Sequence, residues 1–366
     1  MIFNTFVVRQ QAPRMRKVLL AGFTLFFLLI QVENGLAQFN RKSIKNGNKR
    51  MTAFRGNKAK FGKGKVYDAI GFSLNALNYY GDLAPSPAKI STDLSFTKPG
   101  FAVSFMHRFG PRYAVQAQFM FATLKGSDNE SASASDLENG IYRYQRNLSF
   151  RNQIKELSVV GIFDLFENQS TYMSRAKWTP YAYIGLAVFL QDPEAIAPAT
   201  DLQGNALPEA GEYVSLQPLG TEGQYATLSP TDINSGIQPY SLVQIAIPFG
   251  LGARFRLNDA LDLSAEIGFR YTFTDYLDDV SANYVDLTKL NSPLAQAMSY
   301  RTNELNGGNP TNPQPSGIAG VNVQAGYGSE HFDNKRGGKN ANDMYMVTSI
   351  RLTYIIKPNF HQAKFR

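Results

Sequence analysis

Apolar and polar residues alternate with a period of two along much of this chain. Successive side chains of a strand point to opposite faces, so such a segment has one apolar and one polar face. Leu263 and Ile267, for example, alternate with Asp262 and Glu266. The pattern recurs over residues 70–76, 101–106, 115–121, 156–165, 178–190, 243–256, 261–270 and 344–354, although the fifth of these segments is apolar on both faces and alternates poorly.

The links between these eight segments alternate in length. The second, fourth and sixth links are short, whereas the others are long and cover residues 83–98, 126–147, 191–239 and 274–342. An up-and-down membrane barrel with short periplasmic turns and long external loops produces this alternation. We therefore predict an all-β fold, an eight-stranded antiparallel up-and-down transmembrane β-barrel with long external loops. Ten strands are the alternative, if the Gly- and Pro-rich stretch 307–320 hides a hairpin.

Aromatic residues cluster where the predicted strands end. Such residues form girdles at the two membrane interfaces of outer-membrane barrels. The predicted girdles are Tyr67, Phe109, Tyr113, Trp178 and Tyr181 at one end, and Tyr79, Tyr80, Tyr240 and Tyr345 at the other.

The N-terminus has the pattern of a secretory signal. Basic residues precede an apolar run at 18–30, and the small residues Gly35 and Ala37 follow it. The run is too short to cross a bilayer core of about 30 Å, so a cleaved signal explains it better than a membrane helix or a buried cytosolic helix. We predict a cleaved signal peptide at 1–37, a basic disordered periplasmic leader at 38–65 and the barrel domain at 66–366. Met15 is an alternative start, and the expected location is the cell outer membrane.

Positive charge is concentrated in the leader, although the whole chain carries +8. Residues 38–65 contain no acidic residue and hold Arg41, Lys42, Lys45, Lys49, Arg50, Arg55, Lys58, Lys60, Lys63 and Lys65. Export argues against a nucleic-acid partner, so lipid headgroups or an acidic protein are the expected counter-charges. A purely solvated leader is the alternative.

Little in the sequence points to catalysis. The chain has no cysteine and only three histidines, His107, His331 and His361, without metal-ligand spacing. The stretch 56–63 superficially resembles a phosphate-binding loop, but its spacing is wrong and Gly64 stands where Ser or Thr must hold the metal. We expect no catalytic, cofactor-binding or metal-binding residues, no cofactor and no enzymatic activity.

Eight charged residues fall on the faces predicted to point into the barrel. An eight-stranded barrel has an interior that side chains can fill, and unpaired buried charges are costly. We predict a salt-bridged lumen plug, with an ion or proton path as the alternative. Its residues are Glu156, Asp164, Arg254, Arg256, Asp262, Glu266, Arg270 and Arg351.

The predicted loops are too long to be mere connectors and are expected to bind a partner or pack as a lid. In the last loop, Asp275, Asp278 and Asp279 form an acidic cluster. The cluster lacks the spacing of a calcium loop. A solvated loop surface is therefore preferred to a calcium site.

Four stretches resemble the PorG-like family of Bacteroidetes outer-membrane barrels, and they occur in the family's order. They cover residues 78–83, 146–150, 219–224 and 273–281. The residues that carry the resemblance are Tyr80, Gly81, Asp82, Arg146, Asn147, Gly220, Thr221, Glu222, Gly223, Gln224, Thr274, Asp275, Tyr276, Asp278 and Asp279. The chain departs from the family pattern in its longer basic leader and in the residues 357–366 that follow the last strand.

The resemblance implies an exported outer-membrane barrel associated with type IX secretion, whose periplasmic ring proteins would be partners for residues 38–65. The main hypothesis is a non-enzymatic accessory or anchor of the type IX secretion and gliding machinery. The alternative is an outer-membrane barrel that binds or adheres through its long surface loops. A third class, a barrel enzyme that acts on lipid or protein, would need a convergent set of His, Ser and Asp.

Overall fold

The structure is a computed structural model that describes residues 65–84, 96–132, 135–136, 140–167, 173, 175–305, 308–339 and 341–356. The predicted signal peptide (1–37), almost all of the predicted leader (38–65) and the tail from 357 onward lie outside the described residues. Among the described residues, no helix has the length and hydropathy needed to cross a membrane.

The described chain contains twelve strands. They are β1 (Tyr67–Tyr80), β2 (Lys98–Arg108), β3 (Tyr113–Ser127), β4 (Ser149–Asp164), β5 (Trp178–Leu190), β6 (Pro193–Ile196), β7 (Tyr213–Ser215), β8 (Val243–Arg256), β9 (Leu261–Thr272), β10 (Pro313–Pro315), β11 (Asn322–Gln324) and β12 (Met344–Ile356). Three short α-helices lie between them, α1 (Asp128–Ser131), α2 (Gly140–Arg146) and α3 (Pro293–Ser299).

Eight strands close into a barrel. Antiparallel pairing runs in the order β1, β2, β3, β4, β5, β8, β9 and β12, and β12 pairs back to β1. Ring closure leaves none of these strands with an unpaired edge. The predicted eight-stranded antiparallel up-and-down barrel is thus confirmed. The hairpin suspected in the last loop exists as β10 and β11, but it pairs only with itself and adds nothing to the wall.

The outer wall carries a continuous apolar belt. Outward side chains such as Leu74, Leu186 and Leu251 are 64%, 68% and 64% exposed. An apolar surface that encircles a closed barrel is the surface that such barrels turn to lipid. The fold is that of an outer-membrane β-barrel.

The fifth segment alternates more clearly than its sequence indicates. In β5, Ile184 and Leu186 point outward, while Tyr181 and Tyr183 are buried inside. The inward rings fit because each faces a glycine of β8, with Tyr181 opposite Gly252 and Tyr183 opposite Gly250. A methyl group at 252 would lie 2.5 Å from the Tyr181 ring. An apolar sequence on both faces therefore reflects large rings packed against small residues inside the lumen.

The girdle prediction is wrong for several residues. Phe109, Tyr113 and Trp178 are exposed on the outer wall at the end with short turns, as girdle residues are. In contrast, Tyr67, Tyr79, Tyr181 and Tyr345 are buried in the barrel, and Tyr240 is buried in the loops. Strand position explains the four buried wall residues. Each lies an even number of residues from an inward polar or small side chain, such as Ser73 for Tyr67 and Tyr79.

The long loops fold together at one end of the barrel, which we call the long-loop end; the other is the short-turn end. Strands β6 and β7 extend the wall from β4. Between β9 and β12, Tyr284, Leu287, Tyr300, Val323 and Tyr327 form a hydrophobic core separate from the barrel. We call this assembly of loops the cap.

Candidate functional site: a filled lumen and a loop cap

Two arginines hold one carboxylate at the short-turn end of the lumen. Arg108 lies 2.5 Å from Asp164, and Arg254 reaches the same carboxylate at 3.3 Å. Next to them, Arg175 pairs with Asp262 at 2.6 Å. Each of these side chains is at most 9% exposed. A cavity of about 10 Å³ between them has room for a single water molecule.

A second polar layer crosses the middle of the lumen. The Arg351 guanidinium forms two bonds to Glu266, at 2.5 and 3.0 Å. It also donates to Gln116 at 2.9 Å and to Gln118 at 2.6 Å, both on β3. Strand β3 lies three positions around the ring from β12, so this one side chain spans the lumen. Tyr181 donates its hydroxyl proton to Glu266 at 2.6 Å.

A third layer lies nearer the long-loop end. Both carboxylate oxygens of Glu156 accept from Arg270 Nε, at 3.2 and 3.1 Å. The Tyr345 hydroxyl donates to the same carboxylate at 2.7 Å. Because β4 and β9 are not neighbours in the ring, this ion pair also bridges the interior.

Seven of the eight predicted plug residues lie in these three layers. Arg256 differs, because it is the last residue of β8 and pairs with Asp259 of the adjoining turn at 2.7 Å, where the carboxylate is 65% exposed. Two plug arginines were missed from the sequence. Arg108 shares the inward parity of Ser104 and could have been found by extending the second segment. Arg175 lies in a link without periodicity, so no pattern indicated it.

The family-motif residues converge in the cap. Arg336, which the sequence did not single out, lies between the carboxylates of Glu222 and Asp279 at 3.2 and 3.4 Å. Both acids are fully buried. Thr221 and Tyr240 donate their hydroxyl protons to Asp279 at 2.5 and 2.7 Å. The third and fourth motifs therefore meet around one arginine.

Arg146 connects the first two motifs to the last loop. Its guanidinium binds Asp128 of α1 at 2.7 and 2.8 Å. It also donates to the backbone carbonyls of Asp82 at 2.9 Å and Arg336 at 2.7 Å. The adjacent Asn147 has a left-handed backbone (φ 55°) and donates to the Arg301 carbonyl at 3.0 Å. The second motif, through Arg146 and Asn147, thus contacts both the first and the last long loop.

The remaining motif residues support these contacts. Gln224 accepts from the Glu222 N–H at 3.0 Å, and Gly220 and Gly223 have positive φ angles of 59° and 91°. The Thr274 hydroxyl accepts the Tyr276 N–H at 3.2 Å, and the Tyr276 ring stacks on Tyr240 at 4.6 Å. Tyr80 is half-buried, at the end of β1. A side chain at Gly81 would collide with the Tyr79 hydroxyl and the Asp343 carboxylate.

The acidic cluster is not the solvated surface that we expected. Asp278 and Asp279 are 1% and 0% exposed, because the cap folds over them. They also face different partners, since Asp279 meets Arg336 and Asp278 accepts from the Tyr79 hydroxyl at 2.7 Å. Burial raises the pKa of Asp275 to about 8, and it also raises the pKa of Asp278 above its ordinary value. Within the described ranges, no three acidic or histidine side chains are arranged to hold a metal ion.

One protein-family model matches part of this chain. A family model described as a domain of unknown function (DUF6089) matches residues 61–206, which include β1 to β6. No curated protein sequence matches this chain.

Three solved structures illustrate the structural likeness. Ail, the attachment invasion locus protein of Yersinia pestis, solved with the heparin analogue sucrose octasulfate, aligns over 80% of this chain and 98% of its own at 8% identity and a TM-score of 0.29. Neisserial surface protein A aligns over 78% and 96% at 9% identity, with a TM-score of 0.31. OprG of Pseudomonas aeruginosa aligns over 80% and 98% at 10% identity, with a TM-score of 0.35. This chain is thus similar to a DUF6089 domain over its first wall strands, and its strand pairing is that of an outer-membrane β-barrel.

Proposed function

We propose that this protein is a non-enzymatic outer-membrane barrel that acts as an accessory or anchor of the type IX secretion and gliding machinery. The observation that carries the proposal is the filled lumen, where Arg351 bonds both to Glu266 and to Gln118 on the far wall. A lumen closed by its own side chains offers no route for a polypeptide. The role therefore lies at the two ends of the barrel and in its attachment to the membrane.

The proposed location rests on the outer wall and on the N-terminal sequence. The apolar belt suits a lipid environment, and closed barrels satisfy all their backbone hydrogen bonds within it. A signal at 1–37 would carry the chain across the inner membrane. Together these features support insertion into the outer membrane, with the cap outside the cell and the short turns in the periplasm.

The link to type IX secretion rests on the motif residues. Stretches far apart in sequence meet in one structure, as when Thr221 donates to Asp279 and Arg146 to the Asp82 carbonyl. The motif residues therefore act together in one cap, and their resemblance to the PorG-like barrels supports the proposed family. Strand β1 begins at the short-turn end, and the positive charge of the preceding stretch 38–65 suits an acidic periplasmic partner. Ring proteins of the machinery are the proposed partners.

A non-enzymatic role is supported by where the described histidines lie. His107 pairs with Asp68 on the outer wall at 2.5 Å, and His331 is exposed on the cap. Acid–base and nucleophilic catalysis require convergent groups around a substrate. The two histidines lie apart from each other and from the buried carboxylates of the lumen.

Deletion of the gene tests the proposed role. We expect impaired export of the machinery's cargo proteins and restoration by the full-length protein. A protein that keeps the signal but lacks 38–65 should assemble in the outer membrane without restoring export. A leader of the same composition in scrambled order is the matched control, and it should restore export if charge alone is recognised. Normal export in the deletion strain would contradict the proposal.

Surface binding through the loops is the second candidate. Tyr225, Ile233 and Phe332 are 44%, 37% and 64% exposed on the cap, and such apolar side chains suit a binding surface. The Ile233 N–H and the Lys289 ammonium both bind Glu330, so Ile233 lies against the last loop. Loss of cell-surface binding in Phe332→Ser with normal cargo export would favour this function.

A further inference from the structure

A buried tyrosine hydroxyl joins two carboxyl groups where the cap meets the wall. The Tyr79 hydroxyl oxygen lies 2.7 Å from Oδ2 of Asp278 and 2.8 Å from Oδ1 of Asp343. All three residues are at most 2% exposed. A hydroxyl has one proton and can donate only one of these two bonds. The second bond therefore needs a protonated carboxyl group that donates to the tyrosine oxygen.

The backbone contacts indicate which carboxyl group holds this proton. Asp278 accepts the Leu83 N–H at 3.2 Å through Oδ2 and the Val280 N–H at 3.0 Å through Oδ1. These bonds favour its ionised form. Asp343 accepts the Leu277 N–H at 2.8 Å through Oδ2, which leaves Oδ1 to carry a proton toward Tyr79.

The surrounding charges also favour a proton at this position. Two further acids lie close by, Asp82 of the turn after β1 and Asp275 of the segment after β9. The arginines around the latch are engaged elsewhere, since Arg146 binds Asp128 while Arg336 binds Glu222 and Asp279. Arg301, which lines the same small cavity as Asp278, binds Glu304. Arg143 is likewise paired with Asp128. Among the described residues, Asp278 and Asp343 have no ion-pair partner, so ionising both would leave two close buried negative charges.

We propose that Tyr79, Asp278 and Asp343 form a pH-sensitive latch, closed when Asp343 is protonated, that holds the cap on the barrel mouth. The latch joins the end of β1 to the segment after β9 and to the residue before β12. A cavity of about 10 Å³ lined in part by Leu83, Asp278 and Arg336 has room for one water molecule, which could exchange protons with Asp278. The latch does not require any partner in secretion.

The sign of the pH dependence follows from the direction of the pKa shift. Burial, and then the nearby Asp278 and Asp275, raise the pKa of Asp343 well above its ordinary value. A carboxyl group with a raised native pKa stabilises the closed state fully at low pH. That contribution is lost as pH rises from about 4 through the native pKa. The cap should therefore loosen toward alkaline pH.

Hydrogen exchange of the full-length protein in lipid nanodiscs tests the latch. The probes are the amides of Leu277 and Val280, which bond to the two carboxyl groups, with rates corrected for the intrinsic pH dependence of exchange. If opening releases one proton, their protection should fall about tenfold for each unit by which the pH rises, up to the native pKa of Asp343. A pH-independent protection factor in the wild type between pH 5 and 8 would overturn the proposal.

Two isosteric variants separate the roles of the acids. In Asp343→Asn the amide can donate to Tyr79 while its carbonyl accepts from Leu277, so protection should persist and lose its pH dependence. Both oxygens of Asp278 accept backbone N–H groups, and in Asp278→Asn an NH2 group replaces one of these oxygens. Protection should therefore fall at every pH. Asp275→Asn is the control, because that neighbour also has a raised pKa. It should retain the wild-type slope. An unchanged slope in Asp343→Asn, or a slope abolished by Asp275→Asn, would overturn the assignment.

Discussion

Arg351 and Glu266 form a two-bonded ion pair in the middle of the barrel, with Nη1 2.5 Å from Oε1 and Nη2 3.0 Å from Oε2. The same nitrogens reach Gln116 and Gln118 on the opposite wall. Side chains from three strands thus bond to one another inside the barrel. The layers on either side repeat this arrangement, and together they close the lumen along its length.

Removing one member of this pair should destabilise the barrel. Arg351→Ala leaves the buried Glu266 without its cation, and the expected loss in the free energy of unfolding is about 3–5 kcal/mol. Arg256→Ala is the matched control, because its partner Asp259 is 65% exposed. It should cost less than about 1 kcal/mol. Urea unfolding of the protein folded into lipid vesicles measures both values, and equal losses would contradict the layered plug.

The apolar belt predicts a depth-dependent cost for a charge on the outer wall. Leu251, in the middle of β8, is 64% exposed, and Leu251→Arg should cost about 2–4 kcal/mol of barrel stability. Gln153 also points outward, but it lies on β4 near the long-loop end, between Arg151 and Lys155. Gln153→Arg should therefore have little effect. Vesicle refolding yields compare the two variants, and a tolerated Leu251→Arg would argue against lipid at this face.

The cap should depend on Arg336. Without this guanidinium, Glu222 and Asp279 become buried and unpaired acids, so Arg336→Ala should destabilise the closed cap by about 3–5 kcal/mol. Lys335→Ala is the matched control, because the adjacent side chain is exposed. Limited proteolysis should cut the loops between β9 and β12 faster only in Arg336→Ala, with the barrel intact. Equal cleavage of both variants would show that Arg336 does not hold the cap.

The wall could be predicted from the sequence because its two-residue period is imposed by strand geometry. Outward Leu263 and inward Asp262 follow directly from it. The two-residue period does not predict which large side chains fit inside a narrow lumen. Tyr181 was therefore placed in a membrane girdle, whereas it lies inside opposite Gly252. Cross-strand register, which fixes that fit, cannot be obtained from one strand alone.

The cap could be predicted only in part, because its contacts join residues far apart in the chain. The motif residues were identified by resemblance, and they do lie together. Their burial was not foreseen, since an Asp-rich loop such as 275–279 is usually solvated. Arg336, the cation that makes the burial of Asp279 possible, lies 57 residues away in a loop without periodicity.

Planar-bilayer conductance tests the central claim, a lumen closed by its own ion pairs, most directly. The purified wild-type protein should insert without any steady ion conductance above that of the bare membrane at neutral pH. A double variant that removes both Arg351 and Glu266 serves as the positive control for a loosened lumen. A stable ohmic conductance from the wild-type barrel would contradict the account.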